Sequence, residues 1–253
     1  MARLGFVGTG EIASAMVHAL AGQGHVISVS DRGAARAARL AAEVPGVGIA
    51  TNDAVVGGSD IVFLCLMAGV ARRALPGLPF RADQTVISVM VDVPLADLRC
   101  LCAPAHDIHL TIPLPPIATA GCPLPVFPPT PVLAELFGPR CPVITVPSES
   151  ALLAHLGVSA LCSPILDQMQ TATDWLAGLT GDATGAEAYV TAMIRACLSA
   201  APAPSQMAAD LASLSTEGGL NATLRAAMAP ARDDLRAGLD GFRARLGLDR
   251  VEP

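Results

Sequence analysis

The segment RLGFVGTGEIASAMVHAL, residues 3–20, limits what this chain can fold into more than any other. An apolar, strand-like run breaks at Gly8-Thr9-Gly10 and resumes over 11–20 as a helical stretch. Gly8, Gly10 and Ala13 form the pattern G-x-G-x-x-A. The first glycine permits a sharp turn, the second lets backbone approach a pyrophosphate, and the small third residue lets helix and strand pack closely. Turn N–H groups and the helix dipole then favour the phosphate charge. Alone, the pattern matches ordinary loops. Here it joins a strand to a helix, and a second strand ends about twenty residues on, the context of a dinucleotide turn. Gly8, Thr9, Gly10, Glu11 and Ile12 are its candidate cofactor contacts.

The segments that follow extend this reading. HVISVS (25–30), GIA (48–50), DIVFLCL (60–66), TVISVM (85–90), DIHLTIP (107–113) and PVITVP (142–147) read as strands. AARAARLAAE (34–43) reads as a helix, and the run 61–71 as a buried strand with its exit loop. Near-continuous β-branched runs separated by helical segments predict a parallel sheet covered on both faces, the doubly wound Rossmann layout. The stretch 113–131 carries eight prolines and is expected to be a rigid surface connection or one wall of a cleft. After it the strands stop. Residues 150–179 read as helix with Pro164 as a break or first turn, and 186–200, 205–215 and 221–247 as further helices, with an APAP linker at 201–204. The expected fold is α/β: a dinucleotide-binding Rossmann domain over 1–146, then an all-α substrate and dimerisation domain over 147–253. A helical half with so few aromatics has little core of its own, so a homodimer is expected.

Composition excludes several chemistries. All sixteen basic residues are arginine, so no Schiff-base lysine, P-loop lysine or lysine general acid is available. A net charge of −6 argues against broad nucleic-acid binding. No uninterrupted apolar run reaches the ~18 residues of a membrane span, and the N-terminus has no signal-peptide pattern. Seven scattered cysteines suit a reducing compartment, so the cytoplasm and a small-molecule substrate are expected. The five histidines show no metal-ligand spacing, and no metal is expected; His106, His109 and His155 are candidates for touching a ligand.

VSDRG ends the second strand and sets two cofactor preferences side by side. Asp31 can bond the ribose hydroxyls of NAD, whereas Ser30 and Arg32 suit the 2′-phosphate of NADP. NADP is the expected cofactor if Ser30 faces the ribose and Arg32 the adenine; NAD is the alternative if Asp31 points inward.

Four segments carry a resemblance to a known family: FVGTGEIASAM (6–16), SDIVFLCLMA (59–68), VISVMVDVPLADL (86–98) and STEGGLN (215–221). With them the chain resembles the pyrroline-5-carboxylate reductases. That resemblance implies hydride transfer from NADPH to a cyclic imine, with Leu66 and Met67 beside the cofactor. It also implies a substrate carboxylate held by the backbone of Gly218, Gly219 and Leu220. Ser215, Thr216 and Asn221 are the implied catalytic residues, Asn221 standing where the family has a threonine near the substrate nitrogen. Departures concentrate in the substrate half. LMA (66–68) replaces a valine-lysine-proline, and IPLPP (112–116) an asparagine-threonine segment. LGVSALC (156–162) replaces a glycine-rich motif, and Glu217 a proline. These changes imply a changed or more apolar substrate, or a relative without activity. Two other functions stay open: a non-catalytic NADP-binding dimer or sensor, and a β-hydroxyacid-dehydrogenase-like oxidoreductase. The latter class typically uses a lysine that this chain lacks.

Overall fold

Strand β1 (Arg3–Val7) lies inside the sheet, and its residues from Leu4 onward are buried. Leu4 and Phe6 are completely enclosed. Phe6 stacks on Phe63 at a ring separation of 4.6 Å, and Phe63 meets Phe137 edge-on at 6.3 Å. Such ring pairs each add about 0.5–1.5 kcal/mol beyond the area they bury. The computed structural model describes residues 1–138, 140–200 and 207–248. The APAP linker at 201–204 lies outside the described residues.

Helix α1 (Glu11–Leu20) follows β1 and buries Ala13, Met16, Val17 and Leu20. Then come β2 (Val26–Ser30), α2 (Ala34–Glu43), β3 (Val47–Ala50), α3 (Asn52–Gly58), β4 (Ile61–Leu64), α4 (Ala68–Ala74), β5 (Thr85–Ser88), α5 (Leu95–Leu101) and β6 (Asp107–Thr111). The expected strand with exit loop over 61–71 is corrected: β4 stops at Leu64, and Ala68 already starts α4. The sheet order is β3-β2-β1-β4-β5-β6 with parallel pairing, continued by two strands from the proline-rich region and beyond it. From β1 the chain fills one side of the sheet and then the other, so the crevice of the topological switch opens at the ends of β1 and β4.

The proline-rich stretch is more than a surface connection. A 3-10 turn, Pro115–Ala118, places Ile117 in the core, and strand β7 (Leu124–Phe127) joins the sheet antiparallel to β6. Pro125 sits in β7 where its missing N–H does little harm. Leu124 N–H already bonds toward the next strand at Pro142 O, and the ladder to β6 spans only the pairs Leu110↔Phe127 and Thr111↔Val126. Helix α6 (Pro131–Phe137) begins with proline in its first turn, and β8 (Val143–Thr145) pairs parallel to β7.

The chain divides into two units, Met1–His155 and a second beginning at Leu156, so the division falls inside α7 (Glu149–Ser159). The second unit continues with α8 (Cys162–Thr180), α9 (Ala183–Ala200), α10 (Met207–Ser213), α11 (Leu220–Ala227) and α12 (Ala229–Leu246). The helix expected over 150–179 is two helices parted at Ala160-Leu161, with Pro164 in the first turn of α8, where its missing N–H is harmless. The stretch expected as one helix over 221–247 is also two, parted at Met228 with Pro230 inside the first turn of α12. Among the described residues after His155, only Gly157, Thr173, Ala186 and Val190 are buried.

Candidate dinucleotide-binding site

The β1–α1 turn opens on a backbone conformation that favours glycine. Gly8 sits at φ +98, and a Cβ there would lie 2.4 Å from the Cys65 carbonyl oxygen at the end of β4. A side chain at Gly8 would therefore force the two central strands apart. Gly10 differs. Its backbone is extended, it caps α1, and a Cβ would meet nothing within 4 Å. Space above Gly10 is what an approaching phosphate needs.

Two side chains latch this turn to the end of β2. The Gly8 N–H donates to Ser30 Oγ at 2.8 Å, and Thr9 Oγ1 donates to the Arg32 carbonyl at 2.7 Å. Ser30 is completely buried. The expectation that Ser30 faces the ribose is therefore corrected: its hydroxyl is spent holding Gly8. The conformation around Arg32 is completed by Gly33, which caps α2 at φ +88 with its Cβ position 3.1 Å from Thr9 Oγ1.

A cavity of about 480 Å³ lies between these pieces, lined by Thr9, Gly10, Arg32, Gly33, Ala35 and Arg36 among others. Thr9, Gly10 and Arg32 were expected there; Arg36 was not. The available signal was its place in the first turn of the helix that begins just after Arg32. Asp31, Glu11, Ile12 and Leu66 do not line this cavity. Leu66 follows β4 beside the turn, with its Cδ2 3.0 Å from the Cβ position of Gly8. Met67 caps α4 and is 77% exposed.

The residues expected to hold substrate lie in the second unit. Ser215 Oγ donates to the Leu211 carbonyl at 2.5 Å and accepts from the Arg225 guanidinium. Arg225 also donates to Leu211 O at 2.8 Å. Gly218 turns the chain at φ +72, and the Gly219 N–H donates to Thr216 O at 2.9 Å. Of the three N–H groups expected at the carboxylate, Gly219's is thus engaged within its own turn. Leu220 is 89% exposed. Asn221 stands one residue into α11 on the wall of an apolar groove of about 1000 Å³, beside Leu161, Leu224, Leu239 and Phe242. Sequence reasoning missed this groove because its walls come from helices distant along the chain.

Two of the three histidine candidates, His109 and His155, are engaged elsewhere. His109 is buried, with Nδ1 2.9 Å from Pro128 O and Nε2 2.8 Å from Asp107 Oδ1. Thr85 Oγ1 donates to the other Asp107 oxygen at 2.7 Å. Burial pushes the Asp107 carboxyl up, but the Thr85 and His109 hydrogen bonds, with the nearby histidine charges, outweigh it and hold the carboxyl below its ordinary value. This group joins the starts of β5 and β6, the sheet end opposite the glycine turn. His155 Nδ1 lies 2.8 Å from Ala151 O, one turn back along α7.

Residues 3–92 match the family model described as NADP oxidoreductase, coenzyme F420-dependent. No curated protein matches the sequence. Among solved structures, a pyrroline carboxylate reductase from Plasmodium falciparum with NADP bound superposes with a TM-score of 0.78 at 13% identity, covering 98% of each chain. A pyrroline-5-carboxylate reductase from Coxiella burnetii gives 0.78 at 19% identity over 99% of each chain. A reductive aminase from Aspergillus terreus, in complex with NADPH and ethyl-5-oxohexanoate, gives 0.62 at 16% identity, covering 98% of this chain and 93% of that one. From end to end, this chain is pyrroline-5-carboxylate-reductase-like in fold.

Proposed function

We propose that this chain is an NADPH-dependent reductase that delivers hydride to the C=N carbon of a cyclic imine. The observation that carries the reading is the cavity between the glycine turn and α2. It joins an open approach at Gly10 to two arginines, Arg32 and Arg36. A pyrophosphate suits the first and a 2′-phosphate the second. Asp31 does not line that cavity, which favours NADP over NAD. Bound NADPH would supply the hydride. The chain's task is then to hold the cofactor and orient the imine, which is readily protonated near neutral pH and needs no lysine acid.

In this reading the STEGGLN segment takes the substrate. Gly218 and Leu220 offer backbone N–H groups to a carboxylate, Thr216 its hydroxyl, and Asn221 its amide to the imine nitrogen; Ser215, bonded to Leu211 and Arg225, shapes the turn. Glu217 beside them disfavours an anionic substrate. The apolar wall next to Asn221 fits a more hydrophobic imine than pyrroline-5-carboxylate. Proline formation is thus one end of the proposed substrate range.

The working form we propose is a homodimer in the cytoplasm. Trp175, Leu179, Leu198 and Leu224 are each more than 60% exposed, and the second unit buries almost nothing by itself. The helical run 149–180 is apolar enough to cross a membrane by length and composition alone. Its interruption at 160–161 and the carboxylates of Asp167 and Asp174 favour a second copy as the cover.

The test is NADPH oxidation against a panel of cyclic imines and keto acids, with parallel NADPH and NADH binding titrations and sedimentation. Imine turnover with NADPH supports the proposal. Tight NADPH binding with no turnover turns it into the sensor reading, and no cofactor binding overturns both. A monomer at micromolar concentration overturns the dimer.

A further inference from the structure

A pair of buried thiols lies where the sheet ends, far from any role in the proposed reaction. β7 and β8 pair in parallel with Leu124 opposite Val143 and Val126 opposite Thr145. Carried back two residues, the same offset sets Cys122 opposite Cys141. Each cysteine stands two residues before its strand, and both belong to the cluster that holds Leu124, Leu136 and Phe137. The backbones touch here. The Cys122 N–H donates to Cys141 Sγ at 3.4 Å, and a Cβ at the preceding Gly121 would lie 2.2 Å from Arg140 O. Neighbouring strands run about 4.7–4.9 Å apart, inside the roughly 4.4–6.8 Å Cα separation that a disulfide requires.

We propose that Cys122 and Cys141 form a reversible dithiol–disulfide site that, when oxidised, staples the edge strand β8 to β7. With a hydroperoxide as oxidant, the Cys122 sulfur attacks a peroxide oxygen and the O–O bond breaks. For hydrogen peroxide, the departing hydroxide takes the thiol proton and leaves as water. The Cys141 sulfur then attacks the resulting sulfenic sulfur. The S–O bond breaks, and the second hydroxide leaves as water with the Cys141 proton. Two thiols lose two electrons in total, and one peroxide becomes two waters.

Cys122 is the entry point, being 6% exposed against 1% for Cys141. Burial holds its thiol above the usual range, so the reaction is slow. Oxidation also removes the S–H that points to the Leu114 carbonyl at 3.8 Å, while the Leu114 N–H continues to face the same sulfur. Leu114 leads from β6 into the 3-10 turn, so the state of the pair is felt at the exit of β6. Among the described residues β8 pairs only with β7, so the staple pins an element otherwise held from one side.

The experiment removes the three exposed cysteines with C100S, C162S and C197S, leaving Cys65, Cys102, Cys122 and Cys141. The full chain is treated with hydrogen peroxide when folded, and separately refolded in its presence. Thiols are counted after denaturation, and peptides are mapped. The expected result is loss of two thiols, one peptide linking 122 to 141, and a rise in Tm that a reductant reverses. A C141S variant in the same background should show neither the link nor the rise. Four titratable thiols under both treatments, or a link joining Cys65 to Cys102 instead, overturns the proposal.

Discussion

Gly10→Val separates cofactor grip from folding, and the structure gives both magnitudes. In the folded chain the new side chain meets open space, since nothing lies within 4 Å of the Cβ position. Its backbone, at φ −77 and ψ −173, suits a β-branched residue. The folding cost reduces to a poorer helix cap, about 1 kcal/mol, which lowers Tm by a few degrees. The cofactor cost is larger. The isopropyl group fills the approach to the turn N–H groups, each worth about 1.5–3 kcal/mol when it donates to a charged oxygen. Losing two amounts to about 3–6 kcal/mol, roughly a hundredfold to ten-thousandfold in Kd. NADPH fluorescence titration beside thermal unfolding measures both quantities. A Kd within threefold of wild type, in a variant that unfolds normally, would refute the placement of the pyrophosphate above this turn.

Gly8→Ala should act the other way round. Positive φ and contact with the Cys65 carbonyl together cost about 2–4 kcal/mol of stability, read as a lower urea midpoint in the cofactor-free protein. Arg32→Ser and Arg36→Ser should each weaken NADPH binding about tenfold to a hundredfold and leave NADH binding unchanged; equal losses for both cofactors would remove the 2′-phosphate from this cavity. Asp107 should make the fold acid-sensitive. Its carboxyl titrates lower folded than unfolded, so its contribution is whole above the ordinary carboxylate range near 3.9 and is lost as pH falls through the lower folded value. Asp107→Asn should flatten that part of the Tm-against-pH curve, and a wild-type slope in the variant would refute it.

Most strands and the first two helices of the opening ninety residues were legible because their signals are local, whereas the short helices α3 and α4 were not read. Strand, glycine turn and helix follow one another at 3–20, and the bounds of α1 and α2 match the helical stretches read at 11–20 and 34–43. Ser30 was legible as a site residue but not in its role, because its hydroxyl accepts from a backbone N–H in the turn that follows another strand. Strand β7 was hidden by its prolines. Pro125 argues against a strand unless the pairing on both sides is known, and that pairing is a property of the folded sheet. The helical half was read by type, with Pro164 rightly placed in a first turn, but the exact gaps between helices were not read. Ala160-Leu161 carries no breaker, and Pro164 sits a half-turn inside the next helix. The groove around Asn221 needed three dimensions, since it joins residues that a linear pattern keeps apart.

The two latches from Thr9 and Ser30 carry a lesson for redesign. Because they fasten the first turn to the end of the second strand, the grip at Gly10 and the charge at Arg32 travel as one rigid piece. Exchanging the residues around Arg32 to swap coenzyme preference would also re-aim the amides of the glycine turn, so selectivity and affinity in this chain must be retuned together.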